Sequence, residues 1–346
     1  MSMTVSTLGT AASANEGLGA AGASVRARAG VSPFPGRLRL PVIAAPMFLV
    51  SGPDLVIAQC TAGIVGTFPS LNARPQPVLE DWLTRIEAGL AAYRNAHPDA
   101  VVAPYGVNLI VHPSNPRWEG DLDILARRQV PLVITSLHAP DMVVKAVRAY
   151  GGKVFHDVTQ VRHARRALAA GADGLILVAA GAGGHAGRLN PVAFVNEVRA
   201  FHDGPIALSG CLSHGKDVLA AQVLGCDYAY IGTPFIATNE SLASNAYRDM
   251  VLGAQAADVV NTAYFSGVPA NYLLPSIVAA GIDPAALEAG AAAPVNLDKD
   301  TRPKAWRDVW SAGQGVGAAQ EVLTVEALVA QWRREYDEAR ERVLDT

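Results

Sequence analysis

The sequence predicts an α/β protein built on a (β/α)₈ TIM barrel, and three observations support that fold class. Short apolar runs alternate with longer segments of helical period from residue 40 to about 240. Because these runs lack polar alternation, they indicate strands buried on both faces, as in a parallel sheet under helices. Glycine-rich and polar segments follow the strands, at the end where such barrels carry their functional groups. An open doubly wound sheet would concentrate glycine after the first strand, where the chain has Ala45-Pro46-Met47, so the pattern favours closure.

Eight buried strands are expected in this region. They are Pro41–Ala45, Gly63–Gly66, Tyr105–Ile110, Leu132–Thr135, Lys153–Asp157, Gly174–Val178, Ile206–Ser209 and Tyr228–Gly232. Amphipathic helical segments lie between them, such as Gln160–Ala170 and Asp217–Leu224. Each of these two is followed by a glycine, as the C′ position of a helix prefers.

The chain divides into four expected parts. Residues 1–30, rich in Ala, Gly and Ser, predict a flexible tail, and residues 31–240 predict the barrel. Residues 241–310 predict a small helical lid, and residues 311–346 a terminal segment whose helix packs back on the barrel. The expected helices here are Asn245–Val260, Pro284–Ala291 and Glu326–Leu344, with a charged hinge at Asn296–Lys304.

Composition excludes several classes of function. A net charge of -3 without any basic block gives no reason to expect a nucleic-acid partner. No run of about 18 apolar residues is present to cross a membrane. The three cysteines, Cys60, Cys211 and Cys226, are widely spaced and suit a reducing cytoplasm, where we expect the protein to reside. The scattered histidines form no metal-binding pattern, so no metal is expected.

The segment Val178–Arg188 (VAAGAGGHAGR) places four glycines around His185 directly after a strand. Glycines let a backbone approach a planar ligand closely, and a histidine above such a ligand could transfer a proton near neutral pH. A flexible turn that carries a surface histidine explains the same pattern, and the residues alone do not separate the two interpretations.

Two further segments follow the last two strands of the barrel, where a barrel commonly binds phosphate. Ser209-Gly210-Cys211 and Gly232-Thr233 offer backbone N–H groups and hydroxyls, and the helix after the first turn adds its N-terminal dipole. Two ordinary β/α turns are the alternative, and the position after these strands favours phosphate. Asn108, at the end of the third strand, needs a hydrogen-bond partner that either a ligand or a neighbouring loop could supply.

The order of these motifs resembles the nitronate monooxygenase family, formerly called 2-nitropropane dioxygenases. The similar segments run from residue 39 to about 318. They are LPVIAAPM, YGVNLIVHP, KVFHDVTQVRHARRALAAGADGLIL, GAGGHAG, the SGC turn, IGTPFIAT and WSAGQGVG.

The resemblance implies one non-covalently bound FMN and a catalytic histidine at His185. The implied cofactor-binding residues are Ala45, Pro46 and Met47 along the flavin ring, Asn108 and Asp157 at its polar edge, Gly183 and Gly184 near its reacting face, Ser209, Gly210, Cys211, Gly232 and Thr233 around the phosphate, and Ser311 and Gln314 on the C-terminal side of the pocket.

Three positions depart from the family pattern. Asp157 stands where the family often has Lys or another donor, and it would accept the flavin N3–H. Val178-Ala179 replaces a more polar pair, without the usual acidic residue before Gly-Gly-His. Cys211 replaces a glycine of the phosphate turn, and its N–H stays available unless the turn requires positive φ.

The resemblance therefore implies oxidative denitrification of an alkyl or propionate nitronate by O₂, giving a carbonyl compound and nitrite. The expected partners are this small molecule and O₂, in a monomer or homodimer. A flavin-dependent enoyl-thioester reductase using NAD(P)H is the nearest alternative. A barrel that only binds FMN or a phosphorylated metabolite is another, and a titratable His185 in the loop argues against it.

Overall fold

The structure, a computed structural model, describes Phe34 and residues 38–288 and 305–345. The proposed tail, residues 1–30, and the proposed hinge, Asn296–Lys304, lie outside the described residues. In the described part the strands are β1 (Val42–Ala44), β2 (Gly66–Pro69), β3 (Tyr105–Val111), β4 (Leu132–Leu137), β5 (Lys153–Val158), β6 (Gly174–Val178), β7 (Gly184–His185), β8 (Ile206–Ser209), β9 (Tyr228–Ile231), β10 (Val259–Thr262) and β11 (Ala270–Leu273).

Eight of these strands form one parallel sheet in the order β1-β9-β8-β6-β5-β4-β3-β2. The sheet closes through Val65, immediately before β2. The Ala44 N–H donates to the Val65 carbonyl at 2.8 Å, and the Val65 N–H donates to the Val42 carbonyl at 3.0 Å. Since the two end strands thus bond to each other, the (β/α)₈ TIM barrel that the sequence predicts is confirmed.

Helices connect the strands and cover the outside of the barrel. The helices are α1 (Pro53–Thr61), α2 (Val78–Ala96), α3 (Trp118–Arg127), α4 (Asp141–Arg148), α5 (Val161–Ala169), α6 (Pro191–Arg199), α7 (Gly215–Val223), α8 (Asn245–Gly253), α9 (Leu274–Ala279), α10 (Ala285–Glu288) and α11 (Val325–Leu344). The expected strand Gly63–Gly66 begins only at Gly66, because Gly63 at φ +87° makes the turn that ends α1.

The barrel interior is filled by side chains from alternate strand positions. Its buried apolar residues include Ile43, Leu132, Phe155, Ile176 and Tyr228. The alternate positions face outward and pack against the helices, so both faces of the sheet are buried. The chemistry is therefore confined to the rim at the carboxyl ends of the strands.

The segment after β9 is not purely helical, which corrects the expected helical lid. The helix expected over Asn245–Val260 ends at Gly253, and Ala254 is extended at ψ 152°. Val259 and Val260 instead form β10, which pairs antiparallel with β11. The local sequence pattern does not decide whether these β-branched residues form a helix or a strand. Here the partner strand β11 favours the strand. Of the expected helix Pro284–Ala291, the structure describes α10.

The C-terminal helix α11 packs on α7 and α1 of the barrel. Its Trp332 is fully buried against Phe235, with ring centroids 5.3 Å apart. A Cβ at Gly215 would lie 1.8 Å from the Trp332 carbonyl oxygen, so only glycine permits this close helix crossing. No helix in the described ranges is both long and apolar enough to cross a membrane.

Candidate active site

Two glycine-rich turns and a third segment enclose a cleft at the carboxyl ends of β6, β8 and β9. We call it the glycine cleft. It is lined by Gly181, Ala182, Gly183, Ser209, Gly210, Cys211, Leu212, Ser213, Tyr230, Gly232, Thr233, Gly313 and Gly315. Six of the predicted cofactor-binding residues are thus brought together from parts of the chain that are distant in sequence.

Glycine is required where these segments approach one another. A Cβ on Gly181, whose φ is +81°, would lie 2.2 Å from the Cys211 sulfur. A Cβ on Gly313 would lie 2.8 Å from the Gly181 carbonyl oxygen. The backbone therefore forms the walls of the cleft, and any side chain at these positions would displace a neighbouring segment.

Backbone N–H groups without a protein acceptor indicate an anion site within the cleft. In the described part of the chain, the N–H groups of Cys211, Leu212 and Thr233 have no protein acceptor within hydrogen-bond distance. The Thr233 hydroxyl accepts the Gly313 N–H at 2.9 Å, which leaves its own proton available for donation. Several N–H and O–H donors around one space match the needs of a phosphate group.

Cys211 occupies its turn at φ +60°, in the left-handed region. The turn thus requires the positive φ that the family's glycine would adopt freely, and cysteine adopts it at a cost of about 1–2 kcal/mol. The side chain is exposed, and its sulfur lies 3.8 Å from the Gln314 Oε1. The N–H group nevertheless remains available, so the substitution preserves the donor.

The N-terminus of α7 does not serve the cleft, which corrects the expected contribution of its dipole. The Gly215 N–H donates to the Glu335 carboxylate of α11 at 2.7 Å. The N–H groups of Ser213 and His214 both donate to the Asp217 carboxylate, at 2.8 and 2.9 Å. Because the protein's own carboxylates satisfy these donors, an anion would depend on the cleft's loop N–H groups.

The segment Gly181–Gly187, which we call the glycine loop, is ordered by pairing with the lid. Within it, β7 pairs antiparallel with β11, so that His185 lies opposite Ala270 and Gly184 opposite Asn271. The Asn271 side chain donates to the Ala182 carbonyl at 2.6 Å. The loop is therefore part of a three-stranded sheet, and a freely flexible turn does not describe it.

Ser311 joins the glycine loop to the lid. Its hydroxyl accepts the Gly184 N–H at 2.7 Å and donates to the Asn271 carbonyl at 2.5 Å. The Tyr247 hydroxyl of α8 donates to the Ser311 carbonyl. Since the Ser311 hydroxyl already donates one hydrogen bond and accepts another within the protein, this residue supports the glycine loop and does not contact a ligand directly. Gln314 is placed at the cleft mouth, with its N–H bonded to the Gly181 carbonyl at 2.9 Å.

His185 lies at the other end of the glycine loop and does not line the glycine cleft. Its Nε2 lies 3.3 Å from the Ser266 hydroxyl, and its ring meets Trp306 edge-on with centroids 5.1 Å apart. Although His185 is exposed overall, partial desolvation of its ring lowers the pKa of the imidazole from its ordinary 6.5. The imidazole is therefore neutral at pH 7 and able to accept a proton.

Three side chains at the ends of β3, β4 and β5 form a hydrogen-bonded series that we call the polar row. The Asn108 Nδ2 donates to the Ser136 hydroxyl at 2.8 Å, and that hydroxyl donates to the Asp157 Oδ2 at 2.6 Å. Asp157 retains some exposed surface, but its Oδ1 is inaccessible to solvent and has no protein partner among the described residues. Burial raises the pKa of Asp157 from 3.8 to about 7, against the opposing effect of the Ser136 hydrogen bond.

Tyr230 connects the polar row with the glycine cleft. It lines the cleft, and burial, with a smaller contribution from the neighbouring Asp157, raises the pKa of its hydroxyl well above 10.0. The remaining predicted residues lie beside this face: a Cβ on Gly232 would lie 3.2 Å from the Ala45 Cβ and 3.5 Å from the Met47 sulfur. Pro46, between them, is half-buried.

Sequence reasoning missed Ser136, Tyr230, Asn271, Tyr247 and Trp306. Ser136 and Tyr230 could have been found, because they occupy inward-facing alternate positions at the ends of two predicted strands. Asn271, Tyr247 and Trp306 gave no local signal, since their positions depend on how the lid folds over the barrel.

The described residues fit the FMN that the sequence resemblance implies. The glycine cleft offers a cradle that a Cβ would fill and donors that suit one phosphate. The solvent-inaccessible Oδ1 of Asp157 is an orphaned polar atom beside that cleft, as expected for a group that meets a polar ring edge. No group of three or more potential metal-ligating side chains occurs in the described ranges.

Comparison with known proteins identifies the family of this chain. The sequence matches the nitronate monooxygenase family over residues 72–335. A nitronate monooxygenase of Paraburkholderia phytofirmans is 26% identical over 353 residues, which cover 88% of this chain and 94% of that protein. The crystal structure of a nitroalkane oxidase from Streptomyces ansochromogenes superposes with a TM-score of 0.73 at 25% identity, covering 90% of this chain and 98% of that one.

A relative with a different name is also similar. The (3aS,4S,5R,7aS)-5-hydroxy-7a-methyl-1-oxo-octahydro-1H-indene-4-carboxyl-CoA dehydrogenase of Rhodococcus jostii is 24% identical over 238 residues. The similarity covers 69% of this chain and 64% of that protein. Proteins similar to this chain therefore carry names for more than one reaction.

Proposed function

The chain belongs to the nitronate monooxygenase family, and we propose that it uses FMN to oxidise alkyl or propionate nitronates with O₂ to a carbonyl compound and nitrite. It is a flavin-dependent oxidoreductase on a TIM barrel. The observation that carries the specific proposal is the glycine loop, which lines the glycine cleft at one end and holds a neutral His185 at the other.

FMN is proposed because the cleft suits one phosphate. Gly210, Cys211, Gly232 and Thr233 would hold that phosphate through N–H groups, with the Ser209 and Thr233 hydroxyls beside them. Ala45, Pro46 and Met47 would lie along the ring, and Asn108 and Asp157 at its polar edge. Gly183 and Gly184 would form the backbone surface near the reacting face. Ser311 would hold that surface in place, and Gln314 would border the pocket.

His185 is the proposed catalytic residue. As a neutral imidazole it can abstract the α-proton of a neutral nitroalkane, and once protonated it can orient the resulting anion. The flavin, when bound, supplies an electron acceptor for the substrate and an electron donor for O₂. Trp306 and Ser266 restrict the ring of His185, whose side chain remains exposed to solvent.

The cellular setting is also a proposal. Three free cysteines in the chain suit a reducing cytoplasm, and we propose a cytoplasmic monomer or homodimer with no nucleic-acid or membrane partner.

An enoyl-thioester reductase that uses NAD(P)H is a second candidate. The observation in its favour is the similarity to the Rhodococcus jostii protein, whose name places a CoA thioester among that enzyme's substrates. A barrel that binds FMN or a phosphorylated metabolite without catalysis is a third, and a His185 whose lowered pKa leaves it able to accept a proton argues against it.

The test is to identify the flavin released by heating and to compare two reactions of the purified protein. We expect FMN, nitrite release from a preformed nitronate under air, and no oxidation of NADPH with crotonyl-CoA. Release of FAD would contradict the cofactor proposal. NADPH oxidation with crotonyl-CoA in the absence of nitrite release would establish the second candidate, and FMN without either reaction would favour the third.

A further inference from the structure

We propose that Asp157 binds the flavin as a neutral carboxylic acid, donating the proton on its Oδ1 to an acceptor on the polar edge of the ring. The sequence resemblance implies the reverse arrangement, in which an ionised Asp157 accepts the N3–H. The inference rests on the proposed FMN site, and it goes further by assigning the protonation state of a residue within it.

The direction of the hydrogen bonds in the polar row fixes which oxygen carries the proton. The Asn108 Nδ2–H donates to the Ser136 hydroxyl, and that hydroxyl uses its own proton to donate to the Asp157 Oδ2. Oδ2 is therefore an acceptor in either protonation state. A proton on Asp157 lies on Oδ1, the oxygen without a protein partner.

The surroundings of Oδ1 oppose a negative charge. No cation is paired with Asp157 in the described residues, and burial raises its pKa to about 7. The neighbouring strands contribute the uncharged Asn108 of β3 and Ser136 of β4, and the apolar Ile176 and Val178 of β6. Tyr230 of β9 is the titratable group that faces it.

A neutral donor suits the chemistry of the ring better than a carboxylate does. Negative charge that develops on the ring during electron transfer is stabilised by a fixed donor and opposed by a nearby anion. A carboxylic acid kept neutral at pH 7 by its apolar site is a known way to provide such a donor.

Proton linkage makes the proposal measurable. If only the protonated form of Asp157 binds FMN, the affinity follows the fraction of protein in that form, so Kd rises about tenfold per pH unit above the pKa. The window from pH 7 to 9 is favourable. Burial raises the pKa of Cys211 above 9.0 and that of Tyr230 well above 10.0, and lowers that of His185 below 6.5. The phosphate of FMN, whose second pKa is about 6, is already a dianion there.

The experiment measures the Kd of FMN and of riboflavin for the full-length apoprotein from pH 7 to 9, and counts protons by calorimetry in buffers of different ionisation enthalpy. We expect Kd to rise with pH for both ligands, with uptake approaching one proton per flavin at pH 8.5. Riboflavin lacks the phosphate, so a matching pH dependence assigns the proton to the ring end of the site.

Three variants locate the proton. Asp157→Asn, permanently neutral and still a donor, should give a Kd that does not change with pH and no proton uptake. Ser136→Ala removes a hydrogen bond that favours the ionised form, so the rise in Kd should begin at a higher pH. Asp173→Asn is the matched control, because that carboxylate bonds the Val154 N–H at the opposite end of β5 and should leave the wild-type behaviour unchanged.

Two outcomes overturn the proposal while leaving the cofactor assignment intact. One is FMN binding whose Kd does not depend on pH in the unmodified protein, and the other is an affinity that increases with pH, as an ionised acceptor would produce. Absence of flavin binding at every pH would overturn both this inference and the proposed function. That result differs from the two outcomes above, in which FMN still binds.

Discussion

The two ends of the candidate site are built from different parts of the chain. The glycine cleft is made of backbone, with N–H groups as donors and glycine wherever two segments meet. The polar row and His185 are made of side chains, and desolvation raises the pKa of Asp157 in the row and lowers that of His185. The first end depends on shape, and the second on charge. Steric changes should therefore act on cofactor retention, whereas changes of charge should act on proton transfer and on pH dependence.

The largest effect is expected at His185. His185→Asn keeps a hydrogen-bonding side chain but cannot take a proton, so turnover of neutral nitroalkanes should fall about 10²–10⁴-fold. Turnover of preformed nitronates should fall much less, because their proton is already gone, and bound flavin absorbance should persist. The measurement is the steady-state rate of nitrite release from the neutral nitroalkane and from the preformed nitronate. Equal losses on both would assign His185 to binding, and the contrast between the two ends would then fail.

The next effect is a pH-dependent stability change at Asp157. Its pKa is raised in the folded protein, so the stability linked to its protonated form is fully present below pH 3.8 and is lost as the pH rises through about 7. Asp157→Asn should therefore raise the free energy of unfolding at pH 8 by up to about 4 kcal/mol. At about pH 3, where the acid is largely protonated in both states, the two proteins should unfold nearly alike. Urea denaturation at the two pH values decides; an equal gain at both would mean that packing and not charge is responsible.

A steric change at the cleft should weaken the cofactor more moderately. Gly232→Val adds a side chain to the wall of the cleft beside the Ala45 Cβ, and an overpacking cost of about 1–3 kcal/mol incurred only with FMN bound corresponds to roughly a 5- to 150-fold loss of FMN affinity. Gly253→Val is the matched control, since a Cβ there meets no atom within 4 Å. Fluorescence titration at low and high salt should give the same loss, because the effect is steric. A loss that disappears at one salt concentration would contradict this origin.

The smallest effect is expected at Cys211. Cys211→Gly removes the cost of φ +60° while keeping the N–H donor, so stability should rise by up to about 1 kcal/mol with FMN affinity unchanged. Gln129→Gly, at φ +50° away from the cleft, should give a similar gain and serves as the comparison. Thermal unfolding with and without FMN provides the readout. A drop in FMN affinity confined to Cys211→Gly would show that the thiol itself contributes to the cleft.

Local pattern was sufficient for the barrel and insufficient for the lid. Seven of the eight predicted strands lie within a residue or two of their expected positions, because a buried parallel strand needs a continuous apolar run wherever it occurs. Val259 and Val260 carry no such constraint. They continue a helical pattern in sequence, yet they form β10 because β11 supplies a partner strand.

The sequence by itself determined the barrel, the family and most of the glycines that form the cleft, because these depend on periodicity, on motif order and on backbone freedom at single positions. Only the tertiary structure decided how those residues act. In the folded protein, pairing of His185 with Ala270 orders the glycine loop. The Glu335 carboxylate accepts an N–H group at the N-terminus of α7, and the Ser136 hydroxyl donates to Asp157. Hydrogen-bond partners and burial determine the protonation of the site side chains and the availability of the N–H donors. These partners and this burial come from residues that are far apart in the chain.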